Sequence, residues 1–369
     1  MKIVSLLPIL AYGDAVGNDA LAIYHGLKDA GYESVIAAES IDSRIEDKEN
    51  VVHAHDLKFI SDEDVVIYHF STGHKLNQKF GELQCKKILR YHNITPPHFF
   101  CGYNKNLLLN CMQGYRELLQ LRNRIDFCIA ASDYNKKELM RMGFDCEIYV
   151  VPILIPFEDY QKEPNQDILE KYLDDGYTKF LFTGRISPNK RQEDVIAVFH
   201  LYQKLYNPKS RLFLVGKYDG MEKYYKKLVQ YTEDLGVQNV TFTGQVGFDE
   251  ILAYYRLADL FLCMSDHEGF CVPLVEAMNF EIPIVARDAA AVPETMEKGG
   301  IVVARETSLE EIAGVCHKVI LSKTLHDIII KSQKDVLKKF DYKKVANIIS
   351  QVISLYLTDS SNCQTKSET

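Results

Sequence analysis

A chain of 369 residues with 47% apolar and 25% charged residues has the composition of a folded globular protein and the length of two domains. Its net charge of −8 argues against nucleic-acid binding, because phosphate backbones reward a strongly basic face. Nine cysteines, with no CxxC pair and no zinc-like Cys/His spacing, read as buried free thiols in a reducing compartment.

The opening MKIVSLLPILAYGD is apolar, but Pro8 interrupts it, one lysine is its whole basic region and no small-residue cleavage site follows. It reads as a first strand. No apolar run approaches the length that spans a bilayer, so the expected location is cytoplasmic. Short β-branched runs then alternate with amphipathic ones: KIVSLLPI, ESVIAAES, DVVIYHFS, KILRYHN, DFCIAAS and EIYVVPIL. Between them lie helical patterns such as GNDALAIYHGLKDAG, which Gly31 closes as a C-cap. After the connector VPILIPFEDYQKEPNQD the alternation restarts with KFLFTGRI, RLFLVGK, VTFTGQV, LFLCMS, PIVARD and GIVVA. This pattern predicts an α/β protein of two Rossmann-like, doubly wound parallel-sheet domains facing a cleft. The expected division is 1–155 and 156–340, with a last helix at about 341–357 and a disordered polar tail at 358–369.

Ligands of such sheets bind beyond the carboxyl ends of the strands. Three strand-to-helix loops therefore matter. LAYGDAVGND offers Gly13 and Gly17 for close backbone approach, and a helix N-terminus suited to a phosphate or a sugar hydroxyl. It is not GxGxxG, which disfavours a dinucleotide site, and a plain glycine turn is the alternative. FTGRISPNKRQEDVI sets Arg185 and Lys190 between a strand end and a helix start, which suits a pyrophosphate, although a solvated basic loop is the plainer reading of that segment alone. SDHEGFCVPLVEAM follows an apolar strand and carries Glu268 and Glu276 around a helix start marked by Pro273. Ionised carboxylates only accept hydrogen bonds and hydroxyls donate them, so this pair suits a sugar or ribose; a capping acid is the bland alternative.

Other motifs carry less. Asp62 and Asp64 in SDEDVV form an Asp-x-Asp, but they precede a strand and so lie at the wrong sheet end for a metal site. His53 and His55 share a face of an extended segment without a third ligand. The segment NKNLLLNCMQGYRELLQLRNR is amphipathic and basic, which fits either a core-facing helix or one resting on an anionic membrane.

These residues resemble a known family. EGFCVPLVEAM resembles the E-x7-E motif of retaining family-four glycosyltransferases, which have the GT-B fold. GRISPNK resembles their donor-phosphate segment, FTGQV their nucleobase loop, and the final helix the one that crosses back onto the N-terminal domain. RYHNITPPHFF looks like a segment of bacterial polysaccharide mannosyltransferases of that family. The resemblance implies an acceptor-binding first domain and a donor-binding second one. It implies that Gly184, Arg185 and Lys190 meet the donor pyrophosphate, that Glu276 holds the ribose and that Glu268 holds the sugar hydroxyls. The amides of Gly269, Phe270, Cys271 and Val272 would line the donor, Val246 would meet the base and Gly17 would approach the phosphate. His92 would face the sugar near its anomeric carbon, or be no more than a satisfied histidine at a strand end. Catalysis would rest on Glu268, His92, Arg185 and Lys190, with no metal and no cofactor. Three departures stand out: Cys271 where glycine is usual, Phe248 where some guanine-nucleotide users carry an acid, and VPILIP in place of V-P-N-G. The expected partners are a nucleotide sugar (GDP-mannose or a UDP-sugar) and a saccharide or lipid-linked saccharide, the latter at the inner face of a membrane. The rivals are a sugar-nucleotide 2-epimerase and a non-catalytic nucleotide-sugar-binding protein.

Overall fold

Every pairing between strands is parallel among the described residues. The computed structural model describes residues 1–11, 13–45 and 51–364. Seven strands form the first sheet: β1 (Ile3–Leu10), β2 (Ser34–Ile41), β3 (Val51–His53), β4 (Val65–Phe70), β5 (Lys86–Tyr91), β6 (Phe127–Ala130) and β7 (Glu147–Val150). Six form the second: β8 (Thr178–Thr183), β9 (Ser210–Val215), β10 (Val240–Gly244), β11 (Leu260–Cys263), β12 (Ile284–Arg287) and β13 (Ile301–Val303). The orders are β3-β2-β1-β4-β5-β6-β7 and β10-β9-β8-β11-β12-β13. Each sheet grows outward in both directions from its first strand, which is the doubly wound topology the sequence predicts. Twelve of the strands coincide with the quoted runs. The exception is β3, whose three residues are too few to show a period, so the sequence marks it only as an extended histidine-bearing segment.

Central strands such as VVIYHF of β4 are buried at every position, because helices cover both faces of a parallel sheet. The chain divides into two compact units. Unit 1 comprises Met1–Ile94, Asn110–Pro156 and the chain from Lys339 on; unit 2 comprises Thr95–Leu109 and Phe157–Lys338. Thr95–Leu109 groups with unit 2 through specific bonds: Asn104 Nδ2 donates to the Gly220 carbonyl at 2.6 Å, and Lys227 Nζ to Tyr103 Oη at 3.2 Å.

The last helix, Tyr342–Gln364, belongs to unit 1. Its Val345, Ile349, Val352 and Ile353 recur at helical spacing and enter the core around Ile3, Ile23 and Leu27. Each such side chain contributes roughly 1.5–3 kcal/mol by leaving water. Gly26 permits the close approach, since a Cβ there would lie 3.0 Å from that of Ala346. Tyr342 Oη also donates to the Ala22 carbonyl at 3.0 Å. The backbone stays helical to Gln364, past the expected end at Leu357, so the start of the expected disordered tail continues the helix; residues 365–369 lie outside the described ones. No described helix is long and apolar enough to cross a membrane.

Candidate functional site

In unit 2 the strand order reverses between β8 and β11, which pair directly. The two loops leaving these strands are therefore neighbours, and they carry Gly184, Arg185, Lys190 and Glu268. A switch point of this kind opens a crevice at the carboxyl end of the sheet. Gly216, at the end of β9, lets the first loop fold down: a Cβ there would stand 2.0 Å from the Gly184 carbonyl oxygen. Gln192 steadies that loop by donating to the Arg185 carbonyl at 3.0 Å, and Asn189 ties it to the second by donating to the His267 carbonyl at 3.1 Å. Arg185 Nη2 donates to the Asp219 carbonyl at 2.7 Å.

Lys190 and Glu268, which sequence reading assigned to different parts of a ligand, form one ion pair. Lys190 Nζ donates to Glu268 Oε1 at 2.6 Å, with side chains 20% and 7% exposed. Burial works to lower the lysine pKa, but the adjacent Glu268 carboxylate more than offsets it, so the ammonium is held above its ordinary value. Ser265 Oγ donates to the same carboxylate at 2.8 Å. The loop is pinned from behind, because the Glu268 carbonyl accepts the Ala291 amide at 3.2 Å and the Phe270 carbonyl accepts the Thr295 hydroxyl. Cys271, buried and at φ 75°, sits where a left-handed backbone explains the usual glycine. Val272 then opens the helix Val272–Asn279, with Pro273 in its first turn.

Glu276, on that helix, accepts from Tyr160 Oη at 2.6 Å on one oxygen and from Tyr255 Oη at 2.6 Å on the other. Tyr255 in turn contacts Thr183 Oγ1 at 2.6 Å. A carboxylate has about four acceptor sites, so roughly two remain open to further donors. Burial pushes the Glu276 pKa up, against the two phenol hydrogen bonds that pull it down. Phe248 packs edge-on against Tyr160 at 5.4 Å between ring centroids, so its ring supports Glu276 through that tyrosine. Val246 lies in the turn between β10 and the helix Phe248–Leu257.

Unit 1 holds a second polar cluster at its own strand ends. Arg90 Nε donates to Asp19 Oδ2 at 2.8 Å, and its other nitrogens reach Asp19 Oδ1 and the carbonyls of Val151 and Pro152. His92 Nε2 is 3.7 Å from Asp19 Oδ2 and 3.0 Å from His69 Nδ1. Burial lowers both imidazole pKa values, that of His69 to about 4, so both rings are neutral at pH 7. The cluster engages Nε2 of His92. Gly17 lies in the first turn of the helix Ala15–Asp29, where Asp14 caps the amides of Val16 and Gly17 at 3.2 and 3.3 Å. A carboxylate thus already occupies the amides that the sequence reading offered to a phosphate.

Asp64 caps a turn, accepting the amides of Lys2 and Ser61 at 2.8 Å each, and precedes β4 as expected. His53 and His55 stack at 5.4 Å on the surface. Among the described residues, two other groups bring three metal-ligating atoms within 4.8 Å: Asp19, His69, His92 and Cys263, Glu268, Cys271. In each, a cation already bonds the carboxylate (Arg90 and Lys190 respectively), which opposes a divalent ion. Sequence reading missed Asp19, Arg90, His69, Tyr160, Tyr255 and Ser265 as site residues. Arg90 had a signal, a lone charge inside the apolar run KILRY; the tyrosines had none.

Residues 165–336 match the family model described as Glycosyl transferases group 1. A serotype-specific mannosyltransferase of Escherichia coli is 30% identical over 37% of this chain and 17% of its own length. An O-antigen chain mannosyltransferase of Salmonella typhimurium is 28% identical over 59% of this chain and 56% of its own. The chain thus spans well under two thirds of these curated relatives. Among solved structures, Anabaena HepE in complex with UDP and glucose superposes with a TM-score of 0.76 at 19% identity, covering 96% of this chain and 99% of that one. A sucrose-phosphate synthase from Thermosynechococcus elongatus also reaches 0.76, at 14% identity over 97% and 100%. The shared fold is GT-B.

Proposed function

We propose that this chain, a GT-B protein whose residues 165–336 form a glycosyl transferases group 1 domain, moves a hexose from a nucleotide sugar to a saccharide acceptor with retention at the anomeric carbon. The observation that carries the reading is the Lys190–Glu268 pair beside Arg185 at the β8/β11 switch point. Lys190 is a compact charge on a flexible stem, able to exchange a carboxylate for a phosphate oxygen. With Arg185 it would stabilise the departing diphosphate. Glu268, released, would accept from the sugar hydroxyls, and Glu276 from the ribose. His92 is proposed to meet the transferred sugar. No protein base is required: the acceptor hydroxyl proton passes to the leaving phosphate on the same face, and the site supplies position and fixed charge. The reaction is proposed to be metal-independent, so EDTA should leave turnover intact.

Mannose from GDP-mannose is the proposed donor, supported by the names of the relatives, two of which are GDP-mannose-dependent enzymes of Mycobacterium tuberculosis. A UDP-sugar is the second reading, favoured by Phe248, which offers no acceptor to the ring N–H and amino group of guanine. Buried unpaired donors cost about 1–3 kcal/mol each, so competition between GDP and UDP separates the two. A preference for UDP of about tenfold or more, roughly 1.4 kcal/mol, would overturn the mannosyl reading. The acceptor is proposed to be a saccharide or lipid-linked saccharide of a cell-surface polysaccharide. The helix Lys105–Leu121 exposes Leu109, Met112 and Leu119 among Lys105 and Arg116, which supports contact with an anionic membrane face. Cosedimentation with anionic but not neutral vesicles tests it.

A further inference from the structure

Two thiols stand beside Glu268, and the transfer chemistry has no use for them. Cys263 ends β11, and Cys271 caps the helix Val272–Asn279; both are buried and free. Their sulfurs and a Glu268 oxygen lie within 4.8 Å of one another. Cys271 holds a left-handed backbone, φ 75°, that glycine would adopt without strain. Its side chain is nonetheless buried, on the side of the loop where the Cys263 sulfur lies. The Cys263 thiol is held below its ordinary pKa, first by the neighbouring Cys271 thiol, although burial opposes it.

We propose that Cys263 and Cys271 form an oxidative modification site, closing to a disulfide with a peroxide-class oxidant and thereby disabling the sugar-binding loop. One thiolate attacks the peroxide, the O–O bond breaks, and a sulfenic acid and one water result. The second thiol attacks that sulfur, the S–S bond forms, the S–O bond breaks and a second water leaves. Two thiols have then lost two protons and two electrons to one peroxide. The ring so closed contains Ser265, Glu268 and Phe270. An S–S bond of about 2.05 Å draws Cys271 toward β11 and moves those residues with it. A misplacement of about 1 Å at a reacting centre costs on the order of 100-fold in rate. A second pair, Cys128 and Cys146 with sulfurs 3.6 Å apart, lies in unit 1 and would compete for the oxidant, so the test removes it.

The effect on transfer rests on the donor-site reading; the disulfide itself does not. The test uses the full chain in EDTA with Cys128→Ser and Cys146→Ser, treated with hydrogen peroxide and quenched by alkylation. Trypsin leaves both cysteines on one peptide, Leu257–Arg287. That peptide should appear lighter by two hydrogens and unalkylated, and return to the alkylated form after dithiothreitol. Donor turnover should fall about tenfold or more and recover with the reductant. Adding Cys263→Ser should remove the cross-link and hold turnover within about twofold of that variant's own untreated rate. Full alkylation at both cysteines after peroxide overturns the site. So does a disulfide that leaves turnover unchanged, or equal peroxide sensitivity in the Cys263→Ser protein. If the untreated protein turns over no donor, the proposed function fails while the peptide mass still decides the disulfide.

Discussion

Each unit buries a carboxylate against a cation at the carboxyl end of its sheet, yet the two pairs differ in kind. Asp19 and Arg90 are wholly enclosed, 0% exposed on both sides, whereas Lys190 and Glu268 keep 20% and 7%. Arg90 spends its planar fork on Asp19 and on the carbonyls of Val151 and Pro152, and Asp19 also accepts the Leu154 amide at 2.9 Å. Nothing in that arrangement can exchange without unfolding the strand ends. Lys190 bonds a single partner and reaches solvent. Saturation marks a structural lock, and an unsaturated, part-exposed pair marks a place where a ligand can intervene.

Removing Asp19 should break unit 1 hardest. Asp19→Ala leaves a buried guanidinium and the Leu154 amide unpaired, and should cost about 3–5 kcal/mol in urea unfolding. A loss under about 1 kcal/mol would show that the lock is not one.

Acid should separate the units next. His69 titrates near 4 in the fold against an ordinary 6.5, so its stabilising contribution is present above 6.5 and lost as pH falls toward 4. His92 shifts the same way and is coupled to it. Glu276 shifts upward, so its contribution is present at acid pH and is lost as pH rises out of the ordinary carboxyl range. Hydrogen exchange should show β4 and β5 loosening between pH 6.5 and 4 by about 1.4 kcal/mol per pH unit per proton, with two imidazoles charging, while the strands around Glu276 loosen less, since there burial lowers the pKa of one imidazole, His267, to about 4 and Glu276 shifts the opposite way. His69→Gln should flatten the slope in unit 1. Equal loosening of both units would contradict the contrast.

Lys190→Ala should reverse the pattern seen at Asp19. Water can partly replace the ammonium beside the buried Glu268, so stability should fall by about 1–3 kcal/mol, less than at Asp19. Calorimetry with the free nucleoside diphosphate should nonetheless show roughly tenfold weaker binding or worse, as expected for a lost charge-assisted bond. Unchanged affinity would remove Lys190 from the donor site.

The smallest change belongs to Glu276→Gln. The amide still offers an oxygen to one tyrosine and a donor to the other, so stability should move by less than about 0.5 kcal/mol. Nucleotide affinity should still drop several-fold, because a neutral acceptor replaces a charged one. A large stability loss would mean that the tyrosines, and not a ribose, are its purpose.

The sequence by itself determined the layered α/β architecture, both doubly wound sheets and the loops worth watching. Strand periods, glycine stops and polar loops are local properties, and a βαβ crossover leaves few topologies open. It also placed Arg185, Lys190 and Glu268 in strand-to-helix loops and Glu276 in the helix that follows, because helix-start signals sit within a few residues of them. Only the tertiary structure decided which groups touch. The pairing of β8 with β11 joins Lys190 to Glu268 across 78 positions, and Asp19 meets Arg90 across 71. Tyr160 reaches Glu276 from 116 positions away, out of a connector with no periodicity at all. Cys271 holds a left-handed φ that residue type alone would have argued against. Contacts at such separations are chosen by how the strands pair and the helices pack within each unit, not by propensities that a window of a dozen residues can express.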